Sequence, residues 1–266
     1  MCDALYVGPL TMEFGHEVQA NGLIRARASG HRRVIVCSFP ERFALYRDIA
    51  HEFRPHSIKC VCNCDRPAAG EDVDDAIERE SRAAPPQADI WAPRWAEYDR
   101  GDIGERATYT PHGRRAFEWA GVILFHARAR MELGADHNWP AEKWDSLACR
   151  LRERHRLISV GSLAAAHHVR GTDDWRGVPL GQLCDAFASC DLAVGPSSGP
   201  IHLASHCMCP HVTWNGDTSR FDQMVERYER RWNPFDTPVV MLKRPTWNPS
   251  VADVLEAIMA ALSRSS

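Results

Sequence analysis

The stretch DLAVGPSSGPIHLASHCMCPHVTWNG, residues 191–216, decides the fold expected of this chain. An apolar run over 191–195 leads into a turn of small residues, and a helical pattern over 199–207 leads into a second apolar run over 211–214. A strand, a helix and a second strand in this order form a unit whose two strands lie parallel in one sheet. The sequence therefore predicts an α/β protein built on parallel sheets.

The same alternation of strands and helices occupies both halves of the 266-residue chain. The segment between 65 and 115 interrupts it, because that segment is rich in charge, Pro, Ala and Gly and predicts only a short helix near 73–82. Two such series predict two nucleotide-fold lobes with a cleft between them. The predicted strands are 4–8, 33–38, 57–62, 121–128, 156–161, 191–195, 211–214 and 239–242, and the predicted helices are 17–29, 40–50, 140–154, 179–190, 199–207 and one from Ser250.

The composition is that of an ordinary globular protein, with 44% hydrophobic and 25% charged residues. No apolar run approaches the roughly 18 residues that a membrane span needs. The N-terminal residues lack the pattern of a secretion signal, so we expect a cytoplasmic protein. A net charge of −3 provides no overall field that would draw the chain to nucleic acid or to an anionic membrane.

Two motifs are formally compatible with a metal, and neither is interpreted as a site. The run CVCNC, residues 60–64, places three thiols at alternate positions, whereas zinc sites use wider gaps and a fourth ligand; the other close pair is Cys207 and Cys209. Asp72 and Asp74 form a DxD pattern, but it lies in a charged segment and indicates a solvated helix start. We therefore expect no metal and no cofactor.

The turn between the strand and the helix of the opening stretch has the chemistry of an anion site. Pro200 suits the first helical position and Ser198 or Gly199 suits the cap, which leaves backbone amides and the positive end of the helix dipole for a ligand such as a diphosphate. The alternative is that these residues only cap the helix. His202, on the first turn, either donates to a phosphate or is a half-buried helix residue.

A family resemblance bears on that choice. The stretches NWPAEKWDSLACRLRERHRLISVGS (138–162) and WRGVPLGQLCDAFASCDLAVGPSSGPIHLASHCMCPHVTWNG (175–216) resemble the C-terminal lobe of the heptosyltransferase-like glycosyltransferases, glycosyltransferase family 9. The family pattern is a Trp-Pro…Trp helix, a strand that ends in Gly, RGxxxLxEL and DLxVGxDSGxxHLAxxxGxPxVxxxG. The match spans 121–216 in order and spacing. It implies the GT-B fold, in which two Rossmann-like lobes with parallel sheets face a central cleft.

The resemblance implies a role for the turn. In that family the turn before the His-containing helix cradles the donor diphosphate, which by position assigns donor binding to Ser197, Ser198, Gly199, Pro200 and His202. The family usually has Asp at the position of Ser197 in this chain, which leaves the identity of the sugar open.

Other residues of the second lobe are candidates for donor binding. His126 and Arg128 follow an apolar strand, and an Arg suits a diphosphate because it is permanently charged and binds through two N–H groups. Lys143 resembles a family position, and Asp173 or Asp174 is a candidate for a ribose hydroxyl.

The first lobe provides candidates for the proton acceptor. Its opening, VGP…EFGxE over 7–17, resembles a group of short glycosyltransferase-like proteins of phages and bacteria. Glycosyl transfer needs a carboxylate that takes the proton of the acceptor hydroxyl. Glu13 and Glu17 compete for this role, although Glu17 also suits a helix N-terminus, and Glu13 is favoured.

The predicted organisation is an acceptor-side lobe plus linker over 1–115, a nucleotide-sugar-binding lobe over 116–248 and a C-terminal helix over 249–266 that packs back on the first lobe. The predicted function is transfer of a sugar from a nucleotide-diphosphate donor to an acceptor hydroxyl, independent of metal and, as the family implies, with inversion. The predicted acceptor is a surface glycan such as lipopolysaccharide, or a hydroxylated base of phage DNA. The basic cluster Arg25–Arg33 is the feature that supports DNA as the acceptor. The alternatives are a sugar-nucleotide epimerase and a non-catalytic nucleotide-sugar-binding protein.

Overall fold

The computed structural model of the chain describes residues 3–56, 58, 73–91, 108–131 and 135–265. The chain divides into two compact units, Met1–Thr110 and Pro111–Ser266, so the division lies close to the boundary predicted at 115. The cysteine run 60–64 and Asp72 lie outside the described residues. Each unit is an α/β structure with a parallel sheet, as predicted.

The first unit contains a four-stranded parallel sheet in the order β3-β2-β1-β4. Apolar side chains of β1 and β2, among them Leu5, Tyr6, Ile35 and Val36, are completely buried. Its elements are β1 (Ala4–Val7), α1 (Phe14–Ala28), β2 (Arg33–Ser38), a 3-10 helix (Pro40–Leu45), β3 (Glu52–Pro55), α2 (Val73–Ser81) and β4 (Asp89–Trp91).

The third strand of the first unit differs from the prediction. The third strand of the sheet is Glu52–Pro55, whereas the predicted strand 57–62 lies almost wholly outside the described residues. The sequence EFRP of β3 carries one large apolar residue, Phe53, which packs on Phe43 and Tyr46. Apolar periodicity therefore gave no signal there, and backbone pairing with β2 defines the strand.

The second unit contains a six-stranded parallel sheet in the order β10-β9-β8-β5-β6-β7. The strands and helices predicted for this half are all present within a few residues of the predicted bounds, and β7 and α6 are additions. The elements are β5 (Val122–Phe125), a 3-10 helix (Ala135–His137), α3 (Ala141–Leu151), β6 (Arg156–Gly161), β7 (Asp173–Arg176), α4 (Leu180–Ser189), β8 (Leu192–Pro196), α5 (Gly199–His206), β9 (His211–Trp214), α6 (Phe221–Glu226), a π-helical turn (Arg227–Arg231), β10 (Val239–Met241) and α7 (Val251–Ser265).

The strand order places a topological switch point between β5 and β8. From β5 the chain adds β6 and β7 on one side of the sheet and then adds β8, β9 and β10 on the other. Leu124 on β5 accordingly pairs with Ile158 on β6 and with Ala193 on β8. In open α/β sheets, ligands bind outside the carboxyl ends of the strands at such a point.

The C-terminal helix α7 packs within the second unit. Ser250 and Asp253 form the capping box that the sequence predicts, with the Asp253 amide donating to the Ser250 hydroxyl at 3.1 Å. Ile258 is completely buried in the core that holds Ile123 and Trp214. The buried face of this helix belongs to the core of the second unit. The packing of the helix on the first lobe, which the sequence predicted, stays a prediction.

Candidate nucleotide-binding site

Two strand ends meet at the switch point of the second unit. His126 follows β5, and its amide donates to the carbonyl of Val194 on β8 at 2.9 Å. A Cβ atom on Gly195 would lie 3.0 Å from the carbonyl oxygen of His126, so the glycine allows the two chain segments to approach closely. The residues that follow these strands, His126–Arg128 and Ser197–Gly199, therefore lie at neighbouring positions on one edge of the sheet.

The turn after β8 places the N-terminus of α5 at this edge. Ser198 is the N-cap residue with an extended backbone, φ −168° and ψ 164°. Its carbonyl accepts from the amides of Ile201 and His202 at 3.0 Å, and Pro200, the second helical residue, has no N–H. The predicted strand, turn and helix are thus present, with Ser198 as the cap and Gly199 as the first helical residue. Such a helix start carries the positive end of the dipole.

A tyrosine that sequence reasoning missed completes this turn. Tyr228 lies on the π-helical turn after α6, is completely buried, and donates its hydroxyl to Ser197 Oγ at 2.8 Å. Its ring stacks on the ring of His202 at 5.0 Å between centroids, and His202 Nε2 lies 3.4 Å from the phenol oxygen. No strand or helix pattern singles out Tyr228, since it lies 31 residues from Ser197 along the chain.

Arg128 is a buried cation at the end of β5, with 8% of its surface exposed. Its Nη1 donates to Asn138 Oδ1 at 2.8 Å. The same Asn138 fixes the neighbouring chain, because Oδ1 accepts from the Arg130 amide at 3.1 Å and Nδ2 donates to the Arg130 carbonyl at 2.6 Å. A single asparagine therefore holds both the guanidinium and the loop that carries it.

His126 is a neutral group in this site. Burial lowers its pKa to about 4, and the nearby charge of Arg128 acts in the same direction, against a hydrogen bond to the Val160 carbonyl. Its Nδ1 lies 3.3 Å from that carbonyl, which can only accept, so the proton of the neutral ring is on Nδ1. His126 thus offers no positive charge at neutral pH, and the cation at this strand end is Arg128.

Two further candidates are engaged elsewhere in the second unit. Lys143, on the first turn of α3, donates to Asn248 Oδ1 at 2.6 Å and to the Pro249 carbonyl at 2.9 Å. Asp173 is the first residue of β7 and accepts from Arg156, the first residue of β6, at 2.7 Å and 2.8 Å. Asp173 therefore lies away from the carboxyl edge of the sheet. The donor-binding roles of both residues stay predictions.

The carboxylate of Glu17 lies in the interior of the first unit. It is completely buried, and its Oε1 accepts from Ser38 Oγ at 2.6 Å and from Tyr46 Oη at 2.8 Å. Its Oε2 binds Arg42, whose guanidinium also donates to the Met12 carbonyl at 2.7 Å. Three donors and complete burial engage both oxygens of this carboxylate, so its geometry is that of a core ion pair.

Glu13 lies at the start of α1, at the carboxyl end of the first unit's sheet. Its side chain is half-buried, and its carbonyl accepts from the amides of His16 and Glu17 at 3.0 Å. Two buried side chains anchor the loop that leads to it, since Arg42 donates to the Met12 carbonyl and His56 Nε2 lies 2.8 Å from the Leu10 carbonyl. Burial lowers the pKa of His56, so that ring is neutral at pH 7 and donates from Nε2.

Three of the four arginines in the basic cluster Arg25–Arg33 are paired with acids. Arg25 is buried and binds both carboxylate oxygens of Asp48 at 2.5 and 2.7 Å. Arg27 donates to Asp89 at 2.9 Å, and Arg33 donates to Glu52 at 2.6 Å. The paired acids neutralise positive charges that, in the sequence, favoured binding to DNA.

The described residues contain no group of three or more His, Cys, Asp or Glu side chains that could hold a metal ion. Cys207 and Cys209 are buried free thiols. Burial raises the pKa of both thiols. None of the described helices is long and apolar enough to cross a membrane.

Solved glycosyltransferase structures share this fold. A glycosyl transferase family 9 protein from Veillonella parvula aligns over 98% of this chain and 98% of its own, with a TM-score of 0.61 and 13% identity. ADP-heptose LPS heptosyltransferase II from E. coli aligns over 98% and 99%, with a TM-score of 0.57 and 14% identity. E. coli heptosyltransferase WaaC with ADP aligns over 98% of each chain, with a TM-score of 0.53 and 11% identity.

At these identities the likeness establishes the fold, and the fold class predicted from the sequence is confirmed. No protein-family model matches the chain, and no curated protein sequence matches it.

Proposed function

We propose that this protein is a glycosyltransferase that moves a sugar from a nucleoside-diphosphate donor to an acceptor hydroxyl, with inversion and without a metal ion. The proposal follows from one observation: a buried arginine, Arg128, and the N-terminus of α5 lie at the two strand ends that flank the switch point. Both groups attract the same kind of ligand, since each offers N–H donors and positive charge.

The proposed chemistry uses these groups on the leaving diphosphate. The acceptor oxygen attacks the anomeric carbon, and the bond between that carbon and the phosphate oxygen breaks. Negative charge then grows on the diphosphate, where a preorganised guanidinium and the Gly199 amide at the positive end of α5 stabilise the transition state more than the ground state. Solved proteins of the same fold that are named for ADP or ADP-heptose support a nucleoside diphosphate as the ligand.

We assign the role of general base to Glu13. The carboxylate must take the proton of the acceptor hydroxyl as the new bond forms. Of the two candidates in the sequence, Glu17 is bound by Ser38, Tyr46 and Arg42. Glu13 is half-buried at the carboxyl end of its sheet, where a substrate can reach it.

For the acceptor we propose a glycan hydroxyl rather than a base of DNA. Three of the four arginines that favoured DNA form ion pairs, with Asp48, Asp89 and Glu52. Duplex DNA would require phosphate contacts whose affinity falls steeply with salt. Salt-sensitive binding of a duplex to the protein would therefore favour the DNA acceptor and contradict this choice.

Nucleotide binding tests the donor site directly. One of ADP, GDP, CDP, UDP and dTDP should raise the melting temperature of the wild type, because a ligand at 100 times its Kd adds about 2.7 kcal/mol to the stability of the folded state. Arg128→Ala should abolish this shift, and Arg128→Lys should retain part of it. Arg156→Ala, which removes an exposed arginine at the other edge of the sheet, is the matched control and should bind as the wild type does.

Turnover tests the reaction. With donor and acceptor together, the wild type should form a conjugate, and Glu13→Gln should lower kcat by roughly 10²- to 10⁴-fold with an unchanged nucleotide-induced shift. A changed sugar from the donor alone would identify an epimerase. Tight donor binding without turnover, unaffected by Glu13→Gln, would identify a binding protein. Either result contradicts the proposal.

A further inference from the structure

We propose that Tyr228 is a positioning residue of the donor site, and that it orients the hydroxyl of Ser197 as a hydrogen-bond donor to the diphosphate. This inference rests on the proposed function, because it concerns the turn that is proposed to hold the diphosphate. The observation that carries it is the 2.8 Å hydrogen bond from Tyr228 Oη to Ser197 Oγ.

The direction of that hydrogen bond determines what Ser197 can do. A serine hydroxyl has one proton and accepts through its oxygen. When the phenol donates to Ser197 Oγ, the serine proton points away from the tyrosine, towards another acceptor. Ser197 is half-buried at the end of β8, so that acceptor can be a ligand at this edge. A phosphate oxygen, which only accepts, is the complementary partner.

The backbone of Ser197 is held by its pairing with the neighbouring strand, so the hydroxyl is the part of this residue that can reorient towards a ligand. The Ser197 amide donates to the Trp214 carbonyl at 2.8 Å and continues the pairing between β8 and β9. The neighbouring Ser198 hydroxyl donates to the Pro196 carbonyl at 2.8 Å, so its proton is directed into the protein. Of the two serines in the turn, Ser197 is therefore the one that can donate its hydroxyl proton to a ligand, because its oxygen accepts from Tyr228.

Tyr228 suits this role because it is held rigidly and stays protonated. Its ring lies in a core cluster with Ile201, Met224 and Met241, and the edge of Trp232 packs against it at 5.3 Å between centroids. Burial raises the pKa of the phenol well above its usual range. The phenol is thus a neutral donor throughout the physiological pH range.

The experiment is a double-mutant cycle on nucleotide affinity. The probe is the nucleoside diphosphate that stabilises the wild type most among ADP, GDP, CDP, UDP and dTDP, and the corresponding nucleoside is the phosphate-free comparison. Ser197→Ala should weaken diphosphate binding about tenfold or more, the effect of one hydrogen bond to a charged group. Tyr228→Phe, which keeps the ring in its core cluster, should weaken it roughly three- to tenfold. Nucleoside affinity should stay unchanged in both.

The double variant shows whether Tyr228 affects nucleotide affinity through Ser197 or independently of it. If Tyr228 acts through Ser197, Tyr228→Phe should have no further effect in the Ser197→Ala background. Tyr6→Phe is the matched control, because it removes a buried phenol hydroxyl, bonded to the Glu80 carbonyl at 3.1 Å, in the other unit; it should bind as the wild type does.

Three results would overturn the inference: wild-type affinity in Tyr228→Phe, additive losses in the double variant, or an equal loss of nucleoside affinity. A wild type that binds none of these nucleotides would instead contradict the proposed function itself.

Discussion

Glu17 illustrates at the scale of a residue why the type of a side chain does not reveal its role. In the sequence it is an acid near the start of a helix, and it competes with Glu13 for the catalytic role. In the structure it is completely buried among donors from Ser38, Arg42 and Tyr46. A buried carboxylate with such partners stabilises the fold, because the loss of either charge leaves the other unpaired away from water.

Replacement of Glu17 should therefore reduce stability strongly. Glu17→Ala leaves the Arg42 guanidinium buried without its counter-charge, and we expect the free energy of unfolding to fall by about 3–5 kcal/mol. Urea unfolding measures this loss. Glu52→Ala is the matched control, because Glu52 pairs with Arg33 and Arg54 at a more exposed site and should cost about 1 kcal/mol or less. Equal costs for the two variants would contradict the structural role of Glu17.

At the scale of an element, α7 shows that amphipathic periodicity predicts a helix but not its neighbour. The sequence correctly placed its start and its capping box at Ser250 and Asp253. The helix joins the second unit because two side chains bind the residue that precedes its cap: Trp139 Nε1 and Lys143 Nζ each donate to the Pro249 carbonyl at 2.9 Å. These contacts span more than 100 residues, so local sequence gives no sign of them.

Substitutions on the two faces of α7 should differ in cost. Ile258 is completely buried, and Ile258→Ala should lower the free energy of unfolding by about 2–5 kcal/mol, because it leaves a cavity in the core of the second unit. Met259, the next residue, is 46% exposed, and Met259→Ala should cost within about 0.5 kcal/mol. Urea unfolding of both variants checks the assignment of the buried face, and the reverse order of costs would refute it.

At the scale of the whole molecule, buried histidines should make the protein sensitive to acid. Burial lowers the pKa of His126 and of His211 to about 4, and an unfolded histidine titrates near 6.5. Between these values the unfolded chain binds more protons than the folded chain, so stability falls as the pH falls. Above pH 6.5 both states are neutral at these positions and this contribution does not change.

The pH dependence of unfolding should therefore become less steep when one of these histidines is removed. Each buried histidine contributes at most about 1.4 kcal/mol per pH unit between pH 6.5 and 4. Urea unfolding at pH 7, 5.5 and 4.5 should give a smaller decrease for His211→Gln than for the wild type. A slope that His211→Gln does not alter would contradict the proposed titration.

The sequence by itself determined the elements of the second unit, apart from β7 and α6, and the turn that opens α5. Apolar periodicity and small turn residues are local features, and the cap, predicted at Ser198 or Gly199 and formed by Ser198, needs only its neighbours in the chain. The third strand of the first unit escaped prediction because EFRP has almost no apolar signal, and its pairing with β2 is a long-range contact.

Only the tertiary structure decided what the charged and polar side chains do. It buried Glu17 through Arg42, 25 residues away, paired Asp173 with Arg156, and brought Tyr228 to Ser197 across 31 residues. The physical reason is that the pKa, the charge and the proton direction of a side chain depend on its burial and partners. Those are set when distant segments pack together.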